Sequence, residues 1–447
     1  MIDREKEQVQ VNMKRILLIG GNFSPELTGI GKYNGEMINW FAEKGYDCTV
    51  ITTFPYYPQW KVQEPFKKSS YWFEKEMKIT GSNSYKIIRC PHYIPKSPSG
   101  LKRLISDFTI FFSTFLALFP LLFAKKYDFV ITVAPPFMLG ILGNIYKSIK
   151  GARFIYHIQD LQVDAARDLK MITSRTVINL LFAIENFILR RADVISTISK
   201  GMMQKVKEKC NREIVHFPNW VDVENFYPVS SKEAIKELYG FEGHDKVVLY
   251  SGAMGEKQGL EAIIHSAKTF ENNPRVKFLI CGSGPYKQHL IRLQQEFKLT
   301  NVYFLPLQPA DTFNQFLNMA DVHLILQKAT AGDLVLPSKL SAILATGGIS
   351  IVTANHNTSL YEIMKSSDMG FVIDPENQKV LDEAIGEAVM GDHAEKRKNA
   401  REYAEKFLSI GSILSTYSER VLDYTEEASP STKVKKIIAE KIIPINF

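Results

Sequence analysis

Residues 15–33 read RILLIGGNFSPELTGIGKY and join a short apolar run, a glycine pair and the start of a helical pattern. The run RILLIG has the length and composition of a buried strand. Apolar side chains from Ile30 to Phe41 then recur at helical spacing, and YDCTVITT at 46–53 indicates a second strand. Strand, loop, helix and strand in this order form the repeating unit of a parallel sheet.

The same alternation continues through the first half of the chain and begins again after residue 245. Because a single core rarely grows beyond ~250–300 residues, a chain of 447 residues is expected to form more than one domain. We predict an α/β protein with a first domain at 13–222, a second at 223–405 and flanking segments at 1–12 and 426–447. Further strand-like runs lie at 127–133, 153–158, 193–198, 246–250, 276–281, 302–305, 322–326 and 349–353.

Hydrophobic residues make up 45% of the chain and charged residues 23%, which excludes a largely disordered, collagen-like or coiled-coil protein. Residues 1–222 hold 31 basic and 20 acidic side chains, net +11, whereas residues 223–447 hold 24 and 28, net −4. A basic half indicates contact with an anionic surface or substrate. The four cysteines form no CxxC pair and the first twelve residues carry no apolar signal core, so a reducing cytosol is expected.

An uncharged stretch, FTIFFSTFLALFPLLFA, occupies residues 108–124 and is flanked by basic residues on both sides. A membrane-spanning helix needs about 20 apolar residues, and Pro120 interrupts this run. Three interpretations stay open: a buried or half-buried helix, a helix lying in a membrane interface, and a true span.

Glycine-rich loops follow two of the predicted strands. The first holds glycines at 20, 21, 29 and 31, a spacing that differs from the dinucleotide motif GxGxxG. The second, SGAMGEKQGLEAI at 251–263, places Lys257 among glycines before a helix, where an ammonium and free amides suit a diphosphate. Alternatively, the glycines of the first loop only turn the chain, and Lys257 of the second loop is a solvated lysine in a turn.

Three more segments carry polar groups at the predicted carboxyl ends of strands, where ligands of open α/β sheets bind. They are CGSGP at 281–285, AGDLVLPSKL at 331–340 and HIQD at 157–160. Ser338 could cap a helix, but Lys339 in its first turn opposes the helix dipole, which hints at a bound anion. An ordinary cap with a solvated lysine, and a structural His157, remain alternatives.

In this order, the motifs resemble glycosyltransferase family 4, the retaining enzymes of the GT-B class, over residues 14–420. EKQGLE and LPSKL resemble most its colanic-acid-type exopolysaccharide glycosyltransferases. The resemblance implies two Rossmann-like doubly wound domains that face each other across a cleft, with a helix at 406–425 crossing back to the first domain. The other matching segments are GGNFSPELTGIGKY, HIQDL, RRADVISTIS, PNWVD, GSGP, NVYFLPLQP, MADVHLIL and LPSKLSAILATGG.

The resemblance also implies roles for individual residues. A nucleotide-sugar donor would bind mainly to the second domain, with Gly21 of the first domain facing it from the other side. The implied donor residues of the second domain are Gly252, Lys257, Gly282, Ser283, Gly284, Asp333, Ser338, Lys339 and Leu340. The acceptor would meet Thr28, Gly29 and Tyr33, and the implied catalytic residues are His157, Asp160 and Lys257.

Two positions depart from the family pattern. Ala253 stands where the family has an arginine, and Ala342 stands where it has the second of two glutamates, the first being at best Asp333. Ser338 and Lys339 would then carry more of the donor contact. Gln159 rather than His157 could also occupy the position of the family's cleft histidine.

The implied reaction is sugar transfer with retention, from a nucleoside diphosphate to a saccharide acceptor that is expected to be lipid-linked, in exopolysaccharide or cell-surface glycan synthesis. The sequence has no DxD motif and no metal-ligand spacing, so neither a metal nor a cofactor is expected. A nucleotide-sugar epimerase and an inactive sugar-binding homologue are the alternatives. We expect a cytoplasmic protein in peripheral contact with an anionic membrane, and no nucleic-acid partner.

Overall fold

The computed structural model describes residues 13–26, 29–97, 99–168, 171–172, 174–329, 338–356 and 358–423, without the side chains of Lys257 and Ser338. Among these residues, two sheets account for the strands. The first sheet contains β1 (Arg15–Gly20), β2 (Asp47–Thr53), β3 (Glu74–Thr80), β4 (Asn83–Cys90), β5 (Phe129–Ala134), β6 (Arg153–Ile158), β7 (Val194–Thr197) and β8 (Val215–His216). The second contains β9 (Lys246–Ala253), β10 (Val276–Ser283), β11 (Val302–Leu305), β12 (Val322–Ile325), β13 (Ile349–Thr353) and β14 (Phe371–Ile373).

Helices connect these strands and cover both faces of each sheet. In the first half they are α1 (Gly29–Glu43), α2 (Gly100–Leu118), α3 (Leu139–Lys150), α4 (Gln162–Asp168), α5 (Arg175–Arg191) and α6 (Lys200–Cys210). They continue with α7 (Glu233–Leu238), α8 (Glu261–Thr269), α9 (Lys287–Glu296), α10 (Phe313–Met319) and α11 (Ser338–Ala345). The last are α12 (Ser359–Ser366), α13 (Gln378–Met390), α14 (Ala394–Tyr403) and α15 (Ile410–Tyr417).

The strand order places a ligand crevice in each sheet. The first sheet runs β3-β4-β2-β1-β5-β6-β7-β8 and the second β11-β10-β9-β12-β13-β14, parallel except for the β3–β4 hairpin. The chain order therefore reverses between β1 and β5, and between β9 and β12. Ligands of doubly wound sheets bind at the carboxyl ends of strands beside such a reversal. The predicted fold class, two Rossmann-like α/β domains, is confirmed.

Strand β1 shows why these runs form the sheet interior. Leu17 and Ile19 enter the hydrophobic core on one face, while Ile16 and Leu18 enter the core on the other. All four side chains are fully buried. A strand covered on both faces needs apolar residues at every position, so the run is continuous rather than alternating.

The end of the chain returns to the first sheet. Helix α14 packs against α11 in the second domain, and α15 then contributes Ile413, Leu414 and Tyr417 to the core around Ile16. The Tyr417 ring stacks on Phe217 with 3.8 Å between centroids. Two connections therefore join the domains, one after β8 and one between α14 and α15.

Candidate active site

The glycine loops of the second domain lie side by side at the carboxyl ends of β9 and β10. Gly252 pairs with Gly282 and Ala253 pairs with Ser283. A Cβ at Gly282 would collide with the carbonyl oxygen of Gly252, and one at Gly284 with that of Met254. Their φ angles, +142° and +155°, are also unfavourable for other residues. Close approach of the two strand ends therefore requires these glycines, whatever ligand binds there.

Lys339 reaches this loop from the first turn of α11. Its Nζ lies 3.9 Å from the centroid of the Tyr250 ring and 3.6 Å from the place that a Cβ on Gly252 would occupy. The Tyr250 hydroxyl donates a hydrogen bond of 2.7 Å to the carbonyl oxygen of Ala253, which fixes the ring beneath the loop. Burial lowers the pKa of Lys339 to about 7, and no charged group of the described residues offsets this effect.

A desolvated ammonium at a strand's carboxyl end is suited to an anionic ligand, which would restore the charged form. The first-turn amides of α11 would add their partial positive charge. The motif LPSKL predicts Lys339 at the donor site, but no motif indicates Tyr250, whose ring contacts the Lys339 ammonium.

Lys257 belongs to a short 3₁₀ turn, Glu256–Gln258, in which Gln258 accepts a hydrogen bond of 3.1 Å from the Gly255 amide. The side chains of Lys257 and Ser338, and all of Asp333, lie outside the described residues. Leu340 is fully buried beneath α11, where it packs in the hydrophobic core.

In the first domain, Gly21 follows β1 and abuts the loop after β5. A Cβ at Gly21 would lie 2.7 Å from Cδ of Pro136, and its carbonyl oxygen accepts a hydrogen bond of 2.6 Å from Thr53. Glu26, five residues on, is 3% exposed and accepts hydrogen bonds of 2.9 Å from the amides of Tyr56 and Tyr57. Burial raises the pKa of Glu26. This carboxyl group ties the loop after β1 to the loop after β2.

The implied acceptor residues lie at the start of α1. Gly29 has a φ of +61°, and Thr28 is outside the described residues. Tyr33 is buried, with its ring edge-on to Trp220 at 5.3 Å, while Trp220 donates a hydrogen bond of 2.8 Å to Glu36. The Tyr33 ring therefore joins α1 to the segment that leaves the first domain.

His157 lies inside the first domain. Its Nδ1 is 3.0 Å from the Ser196 hydroxyl, its ring is 5.0 Å from that of Phe217, and burial lowers its pKa to about 3. These contacts account for a neutral histidine by packing alone, and its catalytic role stays a prediction. Asp160 lies beyond the end of β6, where desolvation raises its pKa.

Asp160 shares a cavity of about 190 Å³ with Asp107, Arg103 and Gln162. Asp107 accepts a hydrogen bond of 2.5 Å from Gln162, and burial raises its pKa to about 7. No motif indicates Asp107, because it stands next to the apolar stretch, far along the chain from HIQD. Only the packing of α2 against α4 brings the two carboxyl groups to one cavity.

Helix α2 and the short 3₁₀ turn Phe119–Leu122 form the one segment among the described residues that is long and apolar enough to cross a membrane. Its inward face holds Ser106, Ser113 and Thr114 together with the core residues Ile110, Ala117 and Leu118, and its outward face carries exposed apolar side chains. Leu101, Phe108, Phe112 and Phe123 are 69%, 59%, 54% and 77% exposed. Packing of one face on the sheet agrees with the half-buried and interfacial interpretations and disagrees with a lone spanning helix.

A metal site would need a cluster of ligands near this crevice. Among the described residues, one group of three could hold a metal ion, Glu242, His244 and Asp245. It precedes β9, at the opposite end of the strand from Gly252. This group therefore has no part in the candidate site.

Comparisons with known proteins agree with this geometry. The family model for a glycosyl transferase 4-like domain matches residues 28–220, and the model for group 1 glycosyl transferases matches residues 231–407. The chain is 37% identical over 413 residues to the putative colanic acid biosynthesis glycosyl transferase WcaI of Escherichia coli K12, covering 90% of this chain and 98% of WcaI.

Solved structures show the same fold at low identity. Sucrose-phosphate synthase from Thermosynechococcus elongatus superposes with a TM-score of 0.66 at 16% identity, over 92% of this chain and 98% of the synthase. Anabaena HepE, in complex with UDP and glucose, gives 0.65 at 14% identity, over 92% and 100%. The identity to WcaI along nearly its whole length shows that the chain belongs to this glycosyl transferase family and is a glycosyltransferase.

Proposed function

We propose that this enzyme transfers a sugar from a nucleoside diphosphate sugar to a saccharide acceptor, with retention of anomeric configuration, in exopolysaccharide synthesis. The observation that carries the proposal is the desolvated Lys339 ammonium beside Tyr250 and Gly252, at the chain reversal of the second sheet. WcaI is named for colanic acid biosynthesis, and HepE holds UDP and glucose, which support a nucleotide-sugar donor and a polysaccharide product.

The chemical requirement is to stabilise the negative charge that develops on the leaving diphosphate while the sugar becomes cation-like. Lys339, the first-turn amides of α11 and the predicted contact from Lys257 would supply that positive field. Because Ala253 offers no charge where the family has an arginine, Lys339 would carry a larger share of it. This cationic field is consistent with a reaction that requires no metal.

The acceptor would approach from the first domain, across the crevice at β1 and β5. It would meet the loop after β1, which Glu26 holds in place, and the start of α1 at Gly29. Asp160 lines the neighbouring cavity and is the better placed of the two first-domain catalytic candidates, since His157 is buried beside the Phe217 ring.

The outward face of α2 supports a peripheral contact with the inner face of the cytoplasmic membrane. The exposed apolar side chains recur every three or four residues and so form one stripe, with Lys102 and Arg103 at one end and Lys125 and Lys126 at the other. Such a stripe can enter the headgroup region while lysine and arginine meet anionic lipids. A lipid-linked acceptor would then be presented to the first domain.

The proposal can be tested by screening nucleoside diphosphate sugars for thermal stabilisation and then supplying a bound donor with lipid-linked saccharides. Sugar transfer with retained configuration is the expected result. A new sugar isomer formed without acceptor would instead identify an epimerase. Donor binding with no transfer to any acceptor would identify an inactive homologue.

A further inference from the structure

A cavity of about 270 Å³ lies in the first domain, outside the crevice described above. Its walls come from the segment after β2 and the segment after β4. Its polar side chains belong to Lys61, Lys67, Ser70, Tyr71 and His92.

The lining is rich in groups that bind phosphate. Among the described residues, Lys67 pairs only with the exposed Glu64, at 3.2 Å, and no carboxylate pairs with Lys61. The Nε2 atom of His92 is buried and has no hydrogen-bond partner in the described part of the chain. The Tyr56 ring holds the imidazole edge-on at 4.7 Å. An unsatisfied buried nitrogen is unfavourable, and an imidazole nitrogen can share a proton with a phosphate oxygen.

The cavity adjoins α2, whose outward face is the proposed membrane contact. The carbonyl oxygen of Tyr93, next to His92, accepts a hydrogen bond of 2.8 Å from Ser106, and the Tyr93 amide donates one of 3.0 Å to Thr109, both on α2. The guanidinium of Arg103 lies 5.1 Å from the centroid of the Trp60 ring, beside Lys61. The exposed rings of Tyr71 and Trp72 extend the same rim.

The cavity is also coupled to the proposed acceptor loop. The amide of Tyr56 donates to the buried Glu26, which lies between the Gly21 loop and α1. One short segment therefore contacts the acceptor loop at Tyr56, the cavity at Lys61 and α2 at Trp60. A ligand held in the cavity would lie between the membrane surface and the sugar-transfer crevice.

We propose that this cavity binds the diphosphate of the lipid-linked acceptor, with the lipid chain lying along the apolar face of α2. Lys61 and Lys67 would offset the diphosphate charge, and Ser70, Tyr71 and His92 would hydrogen-bond its oxygens. The inference rests on the proposed function, since it requires a lipid-linked acceptor. It assigns acceptor recognition to the lipid diphosphate as well as to the sugar.

The test uses geranyl diphosphate as a soluble probe, with geraniol as the uncharged control, in titration calorimetry on the full chain. The double variant Lys61→Gln/Lys67→Gln should weaken geranyl diphosphate binding by about tenfold or more, since each lysine contributes a charged contact. Lys61→Arg/Lys67→Arg should restore most of it. Lys379→Gln/Lys398→Gln removes two exposed lysines of the second domain; it is the matched control and should bind like the parent.

The diphosphate of the probe could also enter the donor site, and Lys339→Gln separates the two sites. Retained binding in Lys339→Gln with loss in Lys61→Gln/Lys67→Gln supports the inference. The reverse pattern, or binding that is unchanged in the double variant, overturns it. The nucleotide-sugar donor should stabilise the double variant against heat as much as it stabilises the parent. A lack of stabilisation in both proteins would count against the proposed function and not against this cavity.

Discussion

The ammonium of Lys339 lies over the ring of Tyr250, 3.9 Å from its centroid, although the two residues belong to different elements of the second domain. The aromatic face offsets part of the cost of burying the charge. Burial nevertheless lowers the pKa of Lys339 to about 7. The free enzyme therefore holds an amine whose protonated form an arriving anion would stabilise.

Replacement of Lys339 by Gln should weaken donor binding by about tenfold to a hundredfold, because charge-assisted contacts contribute ~1.5–3 kcal/mol. Titration calorimetry with the donor identified by screening measures the loss. Lys379→Gln, an exposed lysine on α13, is the control. Equal donor affinity in Lys339→Gln and the parent enzyme would remove Lys339 from the donor site.

Donor affinity should fall as the pH rises above about 7. The donor diphosphate favours the protonated lysine, so binding above the free-enzyme pKa of about 7 requires uptake of a proton. Lys339→Arg keeps its charge across this range and should show a flatter profile. Parallel pH profiles for the two proteins would assign the dependence to another group.

Gly282→Ala should destabilise the second domain by about 1–3 kcal/mol and impair donor binding, because the new methyl group meets the Gly252 carbonyl in an unfavourable φ region. Thermal unfolding provides the measurement. Gly411→Ala is the matched control, since nothing lies within 4 Å of its added methyl group inside α15. That control should be neutral or slightly stabilising. Similar unfolding midpoints for both variants would contradict the packing explanation.

Asp107→Asn should stabilise the protein at neutral pH but not under acidic conditions. The carboxyl pKa is raised from 3.8 to about 7 in the folded protein, so ionisation opposes folding increasingly as the pH rises through this interval. The stability difference between variant and parent should grow from pH 4 to pH 7 and then level off, as measured by chemical denaturation. A difference independent of pH would show that the Asp107 carboxyl group is solvated.

Phe108→Ser/Phe112→Ser should reduce binding to anionic vesicles by at least about tenfold, since burial of each aromatic side chain contributes ~1.5–3 kcal/mol. Stability should change little, because both rings are more than half exposed. Leu180→Ser, an equally exposed apolar residue on α5, controls for loss of surface hydrophobicity. Unchanged co-sedimentation with vesicles in the double variant would argue against a membrane contact through α2.

Periodicity identified the parallel strands well, because strands that are buried on both faces are continuous apolar runs. Arg15–Gly20 and Arg153–Ile158 begin and end as expected. Periodicity does not predict the two short parallel strands β8 and β14, of two and three residues. It also does not predict the β3–β4 hairpin. Its first strand, EKEMKIT, lies at a sheet edge with alternating exposure and has none of the apolar continuity that marked the others.

The candidate site was predictable in outline only. The glycine loops and Lys339 can be recognised from their neighbours in the sequence. Glycines that follow a strand indicate an unusual backbone conformation, and a lysine in the first turn of a helix opposes the helix dipole. Tyr250, Glu26 and Asp107 carry no local signal of this kind. Their roles arise from contacts with residues distant in sequence, and nothing near them in the chain indicates those partners.

The return of α15 to the first sheet determines the order in which the protein can be completed during synthesis. Ile413, Leu414 and Tyr417 fill the core around Ile16 and Leu18, so that core stays open until the end of the chain leaves the ribosome. The second domain, although translated later, can close its own core first. In a nascent chain that stalls before residue 410, the first domain, although translated first, would therefore be the one exposed to chaperones and proteases.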